Sequence, residues 1–270
     1  MIIDGKAVAE KLKGAIRVEV RRRESPPTLC TIMIGENPVS EQFLSIKKKF
    51  AAEVGIPVRD VRFPSSAAEE KIIAKLAELS KEKQIGVIVQ LPLPPSFDAE
   101  RILNAVSPAQ DVDVLSNDSV RQFEAGTLSA LPTVIAAFDA ILTEQRIMLS
   151  GKKALVIGRG KLVGAPAAVW LRRAGAVATV ADSTTSDLMA LTKDADIIIL
   201  GAGAPWILTP DMIKEGVIIL DAGTSEQGGK VVGDVDPACA EKASLFTPTP
   251  GGIGPITVAM VFKNLLTLTR

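Results

Sequence analysis

The chain carries no histidine and no tyrosine, so acid–base chemistry must rest on Lys, Asp, Glu, Cys or water. A Ser-His-Asp triad, a Cys-His pair and a His-ligated zinc are excluded, and no metal site is expected. Among the lysines, Lys47 falls on one side of a predicted helix, Val39 to Val54, together with Phe43, Phe50 and Val54. An amine on an apolar face, with Lys48 and Lys49 beside it, has its pKa pushed down, which is what a lysine base needs. The same lysine run also reads as a solvated face. Gln90 closes the apolar strand Ile85 to Leu91, at the carboxyl end where ligands of open α/β sheets gather. It would equally serve to cap the strand-end backbone. Asp111 and Asp113 alternate after Pro108, either as carboxylates aimed at a ligand or as loop charges facing water.

A second kind of chemistry is written in glycine. The apolar run Ala154 to Ile157 enters Gly158-Arg159-Gly160-Lys161-Leu162-Val163-Gly164, and a helical pattern follows. Strand, glycine turn and helix let backbone N–H groups and the helix amino end approach a pyrophosphate. The spacing is one residue longer than the usual dinucleotide fingerprint, and a tight turn without a ligand would look alike. Asp182 follows the next strand, where an acid commonly bonds the ribose 2′-hydroxyl of NAD and repels the 2′-phosphate of NADP. Arg159 points the other way, since a guanidinium pairs well with a 2′-phosphate. Asp182 also opens a stretch, Ser183 to Ser186, that suits a helix cap.

These residues must be held by an alternating series of helices and strands. Helices are expected at Ala7 to Arg23, Val39 to Val54 (ended by Gly55), Ala67 to Leu79 and Ala99 to Val106, and strands at Leu29 to Ile34, Val58 to Phe63 and Ile85 to Leu91. Asp111 to Leu131 reads as an irregular passage between two domains. Val134 to Thr143 is helical. Further strands are expected at Ala154 to Ile157, Val177 to Ala181, Ile197 to Leu200 and Val217 to Asp221, with helices starting near Val163 and near Ser186 and a closing helix at Thr257 to Leu268. Alternation of this kind predicts parallel sheets flanked by helices. The fold class is therefore α/β with two domains: an amino-terminal α/β catalytic domain, 1–130, and a Rossmann-like dinucleotide-binding domain, 131–256.

Composition narrows the function further. Lys and Arg number 31 and Asp and Glu number 31, which argues against a nucleic-acid partner or a polybasic membrane anchor. No uncharged apolar run reaches the ~18 residues of a membrane span, and the opening residues lack a signal-peptide core. Cys30 and Cys239 read as buried, reduced thiols. A cytoplasmic protein is expected.

Taken together, several ordered segments resemble the methylenetetrahydrofolate dehydrogenase/cyclohydrolase family. They are Gly35-Glu36-Asn37-Pro38 leading to Ser40 and Lys47, then Val89 to Pro94, Asp111-Val112-Asp113, Gly158-Arg159 through Val163-Gly164-Ala165-Pro166, Gly233-Asp234-Val235, and above all Thr247 to Thr257. The resemblance covers nearly the whole chain. It implies oxidation of 5,10-methylenetetrahydrofolate to the 5,10-methenyl cation with NADP, NAD being the alternative. Hydrolysis to 10-formyltetrahydrofolate follows, within one-carbon metabolism and purine synthesis. It implies Lys47 as the catalytic group of the water step, Gln90 as its hydrogen-bond partner and Asp113 as the holder of the pterin ring. Phe43, Leu91, Pro92, Pro250, Gly251 and Gly252 are implied as substrate contacts. Gly158, Arg159, Gly160, Val163, Gly164, Asp182, Ser183, Gly223 and Thr224 are implied as cofactor contacts. The family's site lies in a cleft between the domains, its members are homodimers, and the closing helix, 257–270, returns to the amino-terminal domain. Some positions depart from the pattern. Phe43 stands where the family has a tyrosine, Val114 where it has a glycine, and Gly160 and Asp182 where a serine and a histidine are common. The loss of the hydroxyl at Phe43 bears on hydrolysis more than on hydride transfer, so a dehydrogenase with weakened hydrolysis is the alternative, and a non-catalytic folate or nucleotide binder is another.

Overall fold

A computed structural model describes residues 1–270. In chain order the elements are α1 (Gly5–Arg21), β1 (Thr28–Ile34), α2 (Pro38–Val54), β2 (Val58–Phe63), α3 (Glu69–Leu79), β3 (Ile85–Val89), α4 (Ala99–Leu103), α5 (Asn117–Ala125) and α6 (Thr133–Glu144). Then come β4 (Lys153–Ile157), α7 (Gly164–Arg173), β5 (Val177–Ala181), α8 (Leu188–Asp194), β6 (Ile197–Leu200), β7 (Ile218–Asp221), β8 (Ser225–Gln227), β9 (Lys230–Val232), β10 (Leu245–Thr247) and α9 (Ile253–Leu268). No helix is long and apolar enough to cross a membrane.

The chain forms two compact units. One comprises Glu10–Thr133 and Val258–Arg270; the other comprises Met1–Ala9 and Val134–Thr257. The first nine residues join the second unit because Ile3 donates to the carbonyl of Phe246 in β10 at 2.9 Å, extending that sheet edge.

In the first unit three parallel strands stand in the order β2-β1-β3. The chain leaves β1 for β2 on one side and later reaches β3 on the other, so a topological switch point lies between β1 and β3. α2 follows β1. Asn37 starts it, its side chain accepting from the N–H groups of Val39 and Ser40 at 3.0 Å each, and Gly55 ends it in the left-handed region at φ 81°. One core packs Ile16 and Val20 of α1, Leu29, Phe50 and Val54 against Val258, Phe262 and Leu265 of α9. There the Phe50 and Phe262 rings stack with centroids 4.9 Å apart, an arrangement that adds about 0.5–1.5 kcal/mol beyond burial.

In the second unit five parallel strands stand in the order β10-β7-β6-β4-β5. Here the switch point lies between β4 and β6. Leu155, Ile157, Ile198, Leu200 and Ile219 fill one face of this sheet. β8 and β9 form a separate antiparallel hairpin.

Three expectations need correction. The passage from Asp111 to Leu131 contains α5, capped by Ser116 and ended by Gly126 at φ 75°. It buries only Ser119 and Phe123, so it carries no apolar periodicity to read. α9 begins at Ile253, four residues before Thr257, because Pro255 is tolerated in a first helical turn, where N–H groups lack intrahelical partners. Phe43 is not on the buried side of α2: it is 48% exposed. The buried line through Val54, Phe50 and Lys47 continues to Leu44 and Ser40, at helical spacing of three and four, and passes Phe43 by one position.

Candidate active site

The switch point of the first sheet gathers Lys47, Gln90 and Asp113. Lys47 comes from the buried face of α2 and is 8% exposed. Gln90, also 8% exposed, directly follows β3. The Lys47 ammonium donates to Gln90 Oε1 at 2.7 Å, and Gln90 Nε2 donates to the carbonyl of Leu91 at 2.9 Å. That carbonyl also accepts from Ser40 Oγ at 3.3 Å, so the amide is held at both ends. Leu91 and Pro92, joined by a cis peptide, border the pair.

Burial pushes the Lys47 amine below its ordinary value, and the neighbouring Asp113 carboxylate pulls it back toward the charged form. Asp113 is pushed up by its own burial and by Asp111, while Lys47 and a hydrogen bond from Thr133 act against that. The Thr133 hydroxyl, at the start of α6, donates to Asp113 Oδ1 at 3.1 Å. A lysine whose charge is disfavoured, next to an acceptor and a carboxylate, can take a proton from water and return it nearby. Phe43 leaves its ring half exposed on the same helix, a flat apolar surface on which a planar ligand could stack.

The switch point of the second sheet gathers the glycines. Gly158 follows β4 with φ 108°, and a Cβ there would lie 2.7 Å from the carbonyl oxygen of Gly201, just past β6. A Cβ on Gly164 would lie 2.0 Å from the Gly158 carbonyl oxygen. Both glycines are therefore demanded by close backbone approach. Gly160 differs: its nearest neighbour would be 3.9 Å away, so it leaves open space over the turn. Val163 precedes α7 with no side-chain cap, and its side chain fills the space above Gly201.

Arg159 is 65% exposed in its side chain and its Nε donates to Asp182 Oδ2. The other carboxylate oxygen accepts from the backbone N–H of Thr184 at 2.9 Å and from its hydroxyl at 2.6 Å. The Thr184 bonds and Arg159 hold the Asp182 carboxyl down at about 2. Asp182 thus anchors Arg159 and the turn after β5. Ser183 stands exposed beside it.

Two buried acids support this floor. Asp234 accepts from the N–H groups of Ala202 at 2.6 Å, Gly203 at 3.1 Å and Ala204 at 2.9 Å, fixing the loop after β6. Asp221 accepts from the N–H groups of Gly223 at 2.9 Å, Asp234 at 3.4 Å and Val235 at 3.3 Å. Burial and the Asp234 charge push the Asp221 carboxyl up to about 7 against those backbone bonds. The fit is reciprocal: a Cβ on Gly223 would fall 2.1 Å from the Asp234 carboxyl carbon, and one on Gly233 2.0 Å from Asp221 Oδ2. Gly223 is therefore a glycine because Asp234 lies against it, and Thr224 after it is exposed. Thr249 and Pro250 share a cis peptide and Gly251 has φ 102°. A Cβ on Gly252 would come within 2.5 Å of the Pro248 carbonyl oxygen, so the loop between β10 and α9 is closely wound.

Sequence reasoning gave no role to Thr133, Asp221 or Asn264, and met Asp234 only as part of Gly233-Asp234-Val235. Asn264 is 4% exposed and donates from Nδ2 to the carbonyls of Val112 at 2.8 Å and Leu131 at 2.7 Å. An amide between the apolar pairs Val261-Phe262 and Leu265-Leu266 was the available signal, since a buried amide must find partners.

Comparison with known proteins matches residues 3–113 to the catalytic domain of tetrahydrofolate dehydrogenase/cyclohydrolase. Residues 132–270 match the NAD(P)-binding domain of the same family. The chain is 35% identical over 274 residues to the bifunctional protein FolD 2 of Lactobacillus johnsonii, covering 100% of this chain and 97% of that protein. The FolD methylenetetrahydrofolate dehydrogenase/cyclohydrolase of Campylobacter jejuni superposes with a TM-score of 0.96 at 34% identity, over 100% of this chain and 98% of that one. The Trypanosoma brucei enzyme, solved with NADP cofactor and an inhibitor, gives 0.92 at 32% identity over 100% of this chain and 97% of that one.

Proposed function

The chain belongs to the tetrahydrofolate dehydrogenase/cyclohydrolase family, and on that premise we propose that it oxidises 5,10-methylenetetrahydrofolate and hydrolyses the resulting 5,10-methenyl cation to 10-formyltetrahydrofolate. The observation that carries this reading is the buried Lys47 amine bonded to Gln90 beside Asp113.

For the hydrolytic step, neutral Lys47 takes a proton from water as the oxygen bonds to the one-carbon bridge. The ammonium so formed gives that proton to the ring nitrogen as the carbon–nitrogen bond breaks. The hydroxyl proton leaves to solvent as the formyl carbonyl forms. Gln90 keeps Lys47 aimed, and Asp113 accepts N–H bonds from the pterin edge while stabilising the ammonium. Phe43, Leu91 and Pro92 offer the ring its apolar surround, and Pro250, Gly251 and Gly252 belong to the same substrate set.

NADP⁺, when bound, supplies the hydride acceptor. The residues present suit it: Gly158 and Gly164 let the turn wind tightly and Gly160 leaves open space over it for a pyrophosphate, and exposed Arg159, braced by Asp182, suits a 2′-phosphate. Val163, Ser183, Gly223 and Thr224 complete the cofactor set. Hydride transfer needs positioning and no side-chain acid. In the same reading the protein is a cytoplasmic homodimer that serves purine synthesis. Buried Cys30 and Cys239, whose thiols burial pushes up to about 11 and about 12, fit a reducing compartment.

The test is a rate assay with methylenetetrahydrofolate and each nicotinamide cofactor, run beside direct hydrolysis of the methenyl compound. Lys47→Met is expected to abolish hydrolysis while leaving measurable hydride transfer. Hydrolysis unchanged in that variant removes Lys47 from its role.

A further inference from the structure

We infer that Asn264 is a positioning residue for Asp113. The inference rests on the folate reading of Asp113 and adds a residue from α9 to that site. Asp113 sits between two loops that meet nowhere in sequence. One, Gln110 to Val114, carries the carboxylate; the other, ending at Thr133, carries the hydroxyl that donates to it. The Asn264 amide nitrogen bonds the backbone of both, at Val112, adjacent to Asp113, and at Leu131, two residues before Thr133.

The surrounding packing seats this amide against the loop. Val112 and Leu265 both press on Gly86 of β3, where a Cβ would lie 2.5 Å and 2.7 Å from their side chains, so α9 is seated directly over the Asp113 loop. On the far side of Asp113, the Asp111 carboxylate accepts from the N–H groups of Leu115 and Ser116 at 3.0 and 2.8 Å. Val114 between them is held at φ 59°, a conformation a β-branched residue adopts only when its surroundings impose it. The loop is thus pinned downstream by Asp111; upstream, Gln110 and Val112 pair with the backbone of Val87 in β3, and Asn264 ties the backbone of the loop to that of the segment that carries Thr133. Without Asn264 the backbone link between this loop and the segment ending at Thr133 is lost, and the carbonyls of Val112 and Leu131 lose a partner inside the protein.

Steady-state kinetics of Asn264→Leu and Asp113→Asn, with folate and dinucleotide varied separately, test this. Asn264→Leu is expected to raise the KM for methylenetetrahydrofolate about tenfold, the loss of one charge-assisted hydrogen bond, with the dinucleotide KM held within about twofold. A simple loss of stability would lower the melting midpoint without this one-sided change. Should Asn264→Leu not fold, Asn264→Ser, too short to reach both carbonyls, is expected to give a smaller rise confined to folate. A folded Asn264 variant with an unchanged folate KM, or with both KM values raised together, overturns the inference. If Asp113→Asn raises the folate KM and Asn264→Leu does not, the inference alone falls. If Asp113→Asn leaves it unchanged, the folate reading of Asp113 falls and the inference with it.

Discussion

Gln90→Met separates the base from its acceptor with little change of shape. The substitution keeps the length and volume of the side chain but deletes the oxygen that accepts from Lys47 at 2.7 Å. The Leu91 carbonyl retains Ser40, so the strand end keeps a partner. A hydrogen bond to a charged group contributes about 1.5–3 kcal/mol. The acceptor favours the ammonium over the neutral amine, so its removal lowers the Lys47 pKa further, in the direction burial already drives it. The base form then appears at lower pH. Hydrolysis of the methenyl compound, followed by its absorbance across pH with the buffer rate subtracted, should show its rising limb displaced to lower pH. The plateau should also fall, because a weaker base removes a proton more slowly. Hydride transfer at saturating substrates should change little. A limb that stays in place, or moves to higher pH, refutes the assignment of Gln90 as the partner that tunes Lys47.

Asp182→Ser releases Arg159 from its carboxylate partner and removes the negative charge beside the glycine turn, so selectivity should shift a few-fold toward NADP; equal ratios of kcat/KM for the two cofactors in parent and variant would refute the placement. Gly164→Ala puts a methyl group 2.0 Å from the Gly158 carbonyl oxygen, and dinucleotide binding, measured by reduced-cofactor fluorescence, should weaken at least about tenfold. Asp221, with its carboxyl raised to about 7, holds a proton that the unfolded chain releases near 4, so its contribution to stability is full below pH 4 and is lost as pH rises through about 7, about 4 kcal/mol in all. Asp221→Asn should flatten the denaturant midpoint between about pH 4 and 7, at a constant cost of about 1–3 kcal/mol for the mismatched amide. Parallel profiles for the two proteins would sink that account.

Much of the chemistry could be read along the chain because it lies at fixed offsets. Lys47 sits at helical spacing from Phe50 and Val54, and Gln90 closes an apolar strand; a period and a strand end are local properties. The glycines of Gly158 to Gly164 are likewise legible, since strand, turn and helix are contiguous. The failures share one cause. α5 is held by Ser116, Gly126 and the single large side chain of Phe123, with no periodic face to detect. Phe43 differs from a buried position by one residue, a phase that only the packed neighbours of α2 decide. Thr133 and Asn264 matter because folding carries them 20 and 152 positions along the chain to Asp113 and to Val112 of its loop, and no local pattern encodes such a meeting.

The interlock of Gly223 with Asp234 and of Gly233 with Asp221 constrains how the protein can evolve. Any side chain at either glycine would be driven into a carboxylate while the acids are present. An acid could be shortened first and its glycine relieved afterwards, but the reverse order passes through a clash. The four positions are therefore expected to drift as two couples, in one permitted order each, and a lineage that has lost an acid should be the one in which the opposing glycine is free to vary.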